Sequence, residues 1–304
     1  MEGVCFVTRR IGIIGAGVVG TAVGVVLSQQ GYEITGVYDV KSESTQQIVD
    51  RIACTTYSSP QEVSRSADIL FITTSDTAIE SVVEELAASH AFHAGQVLIH
   101  MSGAQSSEVL DKAKQFGVRV LSVHPLQSFA STDMAIKNLP GSMFSIEGDN
   151  DAYDTAVCLV ETLKGEYFFI NRQAKPLYHA GACVVSNYLV TLIDFGVKFL
   201  ESTGIPKSMA TKALIPLIQG TVRNIENIGI PKALTGPIAR GDLNTVLKHL
   251  DCLEEMAPEL MNLYSWLGYY TTRIALEKGT IDRNCMEEFQ TAFIRELNQF
   301  ESVS

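Results

Sequence analysis

The chain has 304 residues, 46% of them hydrophobic, which is enough material for more than one core, so two domains are expected. Its 34 acidic residues outnumber 23 basic ones for a formal net charge of -11 with no basic run, which argues against nucleic acid or an anionic membrane as a main partner. Six scattered cysteines (Cys5, Cys54, Cys158, Cys183, Cys252, Cys285) form no C-x-x-C pair, so no metal site or disulfide framework is suggested and reduced thiols in the cytoplasm are expected.

No secretory signal is visible, because Arg9 and Arg10 run straight into an apolar strand over residues 11–14. Gly15, Gly17 and Gly20 follow in the spacing G-x-G-x-x-G, and a helix is expected over residues 18–29. In that order the first glycine turns the chain sharply, the second lets a pyrophosphate approach, and the third lets the helix pack on the strand. A second strand over residues 33–38 ends on Asp39, nineteen residues after Gly20, where an acid can bond an adenosine ribose. Strand, glycines, helix and acid together predict a dinucleotide cradle of Gly15, Ala16, Gly17, Val18, Val19 and Gly20, with Asp39 at its ribose end.

Helices are expected over residues 44–53 and 61–66, the second capped by the Ser58-Ser59-Pro60 turn. The continuous apolar run 69–72 reads as a strand covered on both faces, and it closes in Thr73, Thr74 and Ser75 beside the cofactor. Further strand and helix alternation follows: helix 77–89, strand 96–99, helix 107–116, strand 119–123, strand 142–147, helix 152–163 and strand 167–170. Three strands end in small or polar groups, the last two in His100 to Ala104 and in His124 to Phe129, at the sheet edge where open α/β folds bind ligands. The fold class is therefore α/β, a doubly wound, mostly parallel Rossmann sheet over residues 1–170. From 171 to 304 strand patterns stop and helical ones take over, giving an all-helical second domain for substrate binding and dimerisation. The longest apolar stretch, residues 180–193, is too short to span a bilayer, and residues 301–304 are expected to fray.

In the first helix of the second part, Leu177, Gly181, Val184, Tyr188, Leu192 and Phe195 form an apolar stripe for packing. Opposite it, His179, Cys183, Ser186 and Asn187 fall within about 100° of arc and can face one cleft. His179 and Asn187 can bind and polarise a substrate oxygen or nitrogen there, or serve as satisfied core polar groups. His100 and His124 close strands, and either can donate the proton accompanying hydride transfer or simply bond a loop carbonyl. Ser102 and Gly103 offer a hydroxyl and backbone N–H groups for a carboxylate, or an ordinary helix entry. Arg240, in the rigid turn before Asp242, can clamp an acidic substrate or pair with a structural carboxylate.

With these motifs in view, the N-terminal half resembles the NADP oxidoreductases related to coenzyme-F420-dependent enzymes and to pyrroline-5-carboxylate reductase. The whole chain is similar to a Rossmann-like family whose second part is a helical domain of unknown function. The matching residues are Gly15 to Gly20, His100 to Ala104, His124 to Phe129, Tyr178 to Gly181 with Ser186 to Tyr188, and Leu234 to Asp242. The resemblance implies a helical domain like that of 6-phosphogluconate dehydrogenase, paired in a homodimer. Related β-hydroxyacid dehydrogenases carry a catalytic lysine four residues before an asparagine. Asn187 fits that asparagine, Cys183 stands at the lysine position, and His179 is the nearest replacement.

The expected function is NAD(P)-dependent reduction of a small, carboxylate-bearing carbonyl or imine compound, with His179 as proton donor, Asn187 orienting, and Ser102 and His124 on the opposite wall. On the cofactor two arguments conflict: Asp39 favours NAD, whereas Lys41, Ser42, Ser44 and the resemblance favour NADP. The competing reading is a dimeric, non-catalytic nucleotide-binding redox sensor, which fold alone does not distinguish from an enzyme.

Overall fold

A computed structural model describes residues 10–301, with side chains through 297, so the expectations for Cys5, Arg9 and residues 302–304 lie outside it. The chain forms two compact units that divide between Ser186 and Asn187. The strand pattern ends at Phe169, and the helix that follows it still belongs to the first unit.

Eight strands build one sheet in the first unit: β1 Ile11–Ile14, β2 Ile34–Tyr38, β3 Thr55–Thr56, β4 Ile69–Ile72, β5 Val97–His100, β6 Arg119–Pro125, β7 Met143–Gly148 and β8 Glu166–Phe169. Their order is β3-β2-β1-β4-β5-β6-β7-β8, with strand order reversing about β1 and β4. Every neighbouring pair is parallel except β6 and β7. The helices are α1 Val18–Gln29, α2 Ser42–Val49, α3 Pro60–Ser66, α4 Asp76–Ala88, α5 Thr132–Asn138, α6 Tyr153–Thr162 and α7 Lys175–Val185, with a 3-10 segment over Ser107–Phe116.

Side-chain alternation along each strand explains why both faces are covered. Ile11 and Ile13, Ile69 and Phe71, Val97 and Ile99, and Leu121 and Val123 enter one core with residues of α1 and α6. Ile14, Leu70, Ile72, Leu98 and Val120 enter the other with residues of α3, α4 and the 3-10 segment. Ser59 caps α3 in a reciprocal pair with Glu62, as its Ser-Ser-Pro entry predicts. Two elements are additional to the sequence reading, β3 and α5. Helix α5 is too short to carry a full crossover, and β7 returns antiparallel to β6.

The second unit is all helical: α8 Asn187–Ser202, α9 Lys207–Ile228, α10 Ile230–Ala233, α11 Leu243–Met256, α12 Met261–Lys278 and α13 Arg283–Glu301. Its core gathers Val246, Leu250, Leu253, Met261, Phe289 and Phe293. Gly268 on α12 admits the Phe293 ring, because a Cβ there would overlap the ring atoms.

Of the expected apolar stripe, Phe195 packs against the second unit's core, but most of the rest does not pack within its own chain. Leu177, Val184, Tyr188 and Leu192 are exposed, Leu177 at 79%. The helix is also interrupted, since α7 ends at Val185 and Ser186 takes φ -115° and ψ -72° before α8 starts. His179, Cys183, Ser186 and Asn187 thus do not form one continuous helical face. The helical run Arg172–Ser202 is, by length and composition, long and apolar enough to cross a membrane, and 11% of its apolar window is buried, so the estimate from residues 180–193 was too short. Cys54, Cys183, Cys252 and Cys285 are free thiols, as expected, whereas Cys158 is disulfide-bonded.

Truncating the fully buried Phe293 should leave a cavity facing Gly268 and cost about 3–5 kcal/mol of second-unit stability. Urea unfolding of Phe293→Ala, followed by circular dichroism of the helices, checks this; an unchanged midpoint would show that the ring does not hold α12 to α13.

Candidate active site

The glycine loop is built by close backbone approaches. Gly15 has φ +100°, and a Cβ on it would come within 2.6 Å of the Thr73 and Thr74 backbone. A Cβ on Gly20 would collide with the Gly15 carbonyl and the Thr73 hydroxyl. That hydroxyl donates to the Gly15 carbonyl at 2.6 Å, so Thr73 locks the loop. Gly17 is different, because a Cβ there would meet nothing within 4 Å. The space beside it is open at the N-terminus of α1, whose first turn has no side-chain cap and no acidic residue. Val18 and Val19 open that helix, and its first N–H groups and dipole present an anion site. Asp39 ends β2 with one oxygen accepting the Ala16 N–H at 2.8 Å and the other the Lys41 N–H at 2.9 Å. It therefore fixes the loop, retaining lone pairs for a ribose. Thr74 and Ser75 follow β4 at the same edge, Thr74 half-buried and Ser75 exposed.

Next along that edge, β5 and β6 end in a polar cluster. His100 is fully buried, and its Nδ1 accepts the Ser102 N–H at 3.1 Å, which places its proton on Nε2. The Ser102 hydroxyl accepts from the Ala104 and Gln105 N–H groups at 3.2 and 3.0 Å, fixing the turn around Gly103. A Cβ on Gly103 would lie 2.7 Å from His179 Cδ2 and 2.8 Å from His124 Nε2. Only a residue without a side chain leaves these two rings standing over the turn. His124 Nδ1 and the Tyr178 hydroxyl are 2.8 Å apart, and the His124 and His179 rings are edge-on at 6.4 Å. Cys183 Sγ lies 3.8 Å from His179 Nε2, one helical turn further along α7.

Beneath this cluster lies Lys175, a fully buried lysine at the start of α7. Its Nζ donates to Ser122 Oγ on β6 at 2.7 Å and to Ser145 Oγ on β7 at 3.5 Å, and it stands 5.6 Å from the Tyr178 ring centroid. Burial pulls its pKa down to about 8, against the opposing pull of Glu147 and Asp76. Glu147 is itself buried, accepting from the Ser107 N–H and hydroxyl at 2.7 Å each, with Arg172 Nε 3.7 Å away. Burial and the Lys175 charge together push the pKa values of His100 and His124 down to about 3. Both rings are thus held towards the neutral form, in which His124 offers a neutral N–H.

Of the residues singled out from sequence, His124, Ser102, Gly103 and His179 come together, and the glycine loop, Asp39 and Thr73 form the cradle. Asn187 and Arg240 belong to the second unit: Asn187 opens α8 and is exposed, and Arg240 is exposed on the turn before Asp242, which caps α11 through Thr245. Sequence reasoning missed Lys175, Tyr178, Ser122, Ser145 and Glu147. The available signal was polar residues at inward positions of otherwise apolar strands, Ser122 in β6 and Ser145 with Glu147 in β7.

Comparison with known proteins places this geometry. Residues 4–125 match the Rossmann-like domain, and residues 142–271 match the domain of unknown function DUF2520. The chain carries both domains. No curated protein matches it by sequence. Among solved structures, a Thermotoga maritima protein superposes with TM-score 0.71 at 22% identity, covering 88% of this chain and 99% of its own. A Bacteroides fragilis protein to which NADP oxidoreductase activity has been ascribed gives 0.68 at 20% identity, covering 87% and 98%. Plasmodium falciparum pyrroline carboxylate reductase with NADP bound gives 0.56 at 15% identity, covering 94% and 98%. At these identities the likeness is one of fold.

Within the Rossmann-like domain the two neutral histidines carry a pH consequence. Their folded pKa values of about 3 lie below the ordinary 6.5, so between these pH values the unfolded chain binds protons that the folded chain refuses. The stability they contribute is complete above pH 6.5 and is lost as pH falls towards 3. Replacing His100 with Phe should flatten the fall of the urea midpoint between pH 6.5 and 4, and an unchanged slope would show that His100 titrates freely in the fold.

Proposed function

We propose that this protein is an NAD(P)-dependent oxidoreductase that reduces a small carbonyl or imine compound bearing a carboxylate. The observation that carries the reading is the open space at Gly17, between two glycines whose Cβ positions are filled by backbone, at an uncapped helix N-terminus. Ala16, Gly17, Val18 and Val19 would hold the pyrophosphate. NADP is favoured over NAD, because Lys41, Ser42 and Ser44 follow Asp39 and can accept a 2'-phosphate. The neighbours described with NADP or NADPH support the same choice.

The bound dinucleotide would supply a hydride, and the chain supplies position and a proton. His179 and His124 over Gly103 are the proton-handling groups, and Ser102 keeps its hydroxyl proton for a substrate oxygen. A polar strand edge of this kind favours an enzyme over a sensor, for which an apolar edge would suffice. We place the acidic protein in the cytosol, working as a homodimer in which a second copy, rather than a lipid bilayer, covers the exposed apolar residues of α7 and α8.

Two measurements check the proposal. Gly17→Val should fold with an unchanged melting temperature yet lose NADPH binding in a fluorescence titration, since the added carbons meet only the space reserved for phosphate. Retained binding would sink the cradle. His179→Ala should lower turnover by about 10² to 10⁴ in a screen of carbonyl and imine metabolites while leaving NADPH affinity intact. Full activity in that variant would remove His179 from the reaction.

A further inference from the structure

A fully buried lysine with no carboxylate in ion-pair contact among the described residues is costly, and the fold does not use its charge to hold two elements together by a salt bridge. Its Nζ instead points into a line of hydroxyls. Ser122 lies 2.7 Å away, and Ser145 lies 3.5 Å away on the next strand. The Ser145 hydroxyl neighbours Tyr178 and favours the ionisation that burial opposes, and the Tyr178 hydroxyl is 2.8 Å from His124 Nδ1. The far nitrogen of that imidazole, Nε2, is the atom beside the bare Gly103 turn. These contacts lie wholly within the first unit.

We propose that Lys175 is an internal proton store for the site, discharging through Ser145 and Tyr178 to His124 and out at His124 Nε2. The inference rests on the reductase reading for its purpose and on these contacts for its existence. In the delivery step one Lys175 N–H bond breaks as Ser145 Oγ takes the proton and passes its own to Tyr178 Oη. The Tyr178 proton moves to His124 Nδ1, and the His124 Nε2 proton leaves to the basic atom of the substrate. Lysine ends as a neutral amine, the imidazole ends as its other neutral tautomer, and no electrons change hands. The return of a proton by the same line restores the ammonium.

The electrostatic surroundings suit a store that gives up its proton near neutral pH. Facing Lys175 are Glu147 on β7 and Asp76 at the start of α4, which favour the ammonium, and His100 on β5 and His124 on β6, both held neutral. His179 and Tyr178 on α7 complete the ring of titratable groups. A neutral His124 is what a relay requires, because one nitrogen must accept while the other donates.

Nuclear magnetic resonance of the full chain, labelled with 15N at histidine and 13C at lysine and free of cofactor, tests the relay from pH 5 to 10. His124 should remain neutral and change its tautomer balance with a midpoint near pH 8, the same midpoint as the Lys175 side-chain signal. In Tyr178→Phe, Lys175 should still titrate while the His124 change disappears. In Lys175→Met, of similar volume, both should vanish. A His124 signal flat through pH 8 in the wild type overturns the proposal. So does a tautomer change that survives in Tyr178→Phe, because it would then report charge acting through space. Failure of the reductase reading would appear separately, as absent NADPH binding with the titration intact.

Discussion

The structure depends first on how closely α1 approaches the end of β1. Gly20 packs against the Gly15 carbonyl with no room for a Cβ, and Thr73 from β4 ties that same carbonyl. Three elements are thereby fixed at the point where strand order reverses, with open space left beside Gly17. Asp39 closes the loop from the other side through Ala16, so the cradle is stiff before any ligand arrives. Stiffness matters, because a loop already holding its phosphate-binding geometry does not pay to order itself on binding.

The second constraint is one positive charge in the layer below the strand ends. Burial lowers the pKa of Lys175, yet it remains close enough to His100 and His124 to help hold both neutral. Glu147 and Asp76 act on it at longer range, and Glu147 is committed to Ser107 and Arg172. The result divides labour along the edge: the glycine loop favours anions, and the histidine cluster offers neutral N–H groups. A protonated histidine pair would repel a cation brought beside it, whereas neutral rings would not.

Much of the fold was legible because parallel strands buried on both faces are mostly apolar runs, and β1, β4 and β5 show them. The glycine loop was legible because its spacing encodes two close approaches, seen at Gly15 and Gly20, and one open space, seen at Gly17. What escaped were β3, two residues long, and α5, whose Ser131 cap precedes only seven residues. The site was half legible. His124 and Gly103 stand at strand ends, where polar residues attract attention, whereas Ser122 and Ser145 sit in mid-strand and look like ordinary tolerated hydroxyls. Lys175 was passed over because lysine is the residue least expected to be fully buried.

Helix α7 carries the most instructive reversal. Lys175, Tyr178, His179 and Cys183 recur at helical spacing on one side, and Lys175 and Tyr178 bond β6, β7 and their ends. Leu177, Val184 and Val185 stand exposed instead. An amphipathic helix ordinarily turns its apolar face to the core, so the hydrophobic period pointed to the wrong side. Inversion of this kind leaves apolar residues of α7 facing water, which is a standing liability. The chemistry of the site sets the choice: the polar face must stay against the sheet to keep Lys175 desolvated and His124 neutral, and the apolar face is then the side left away from it.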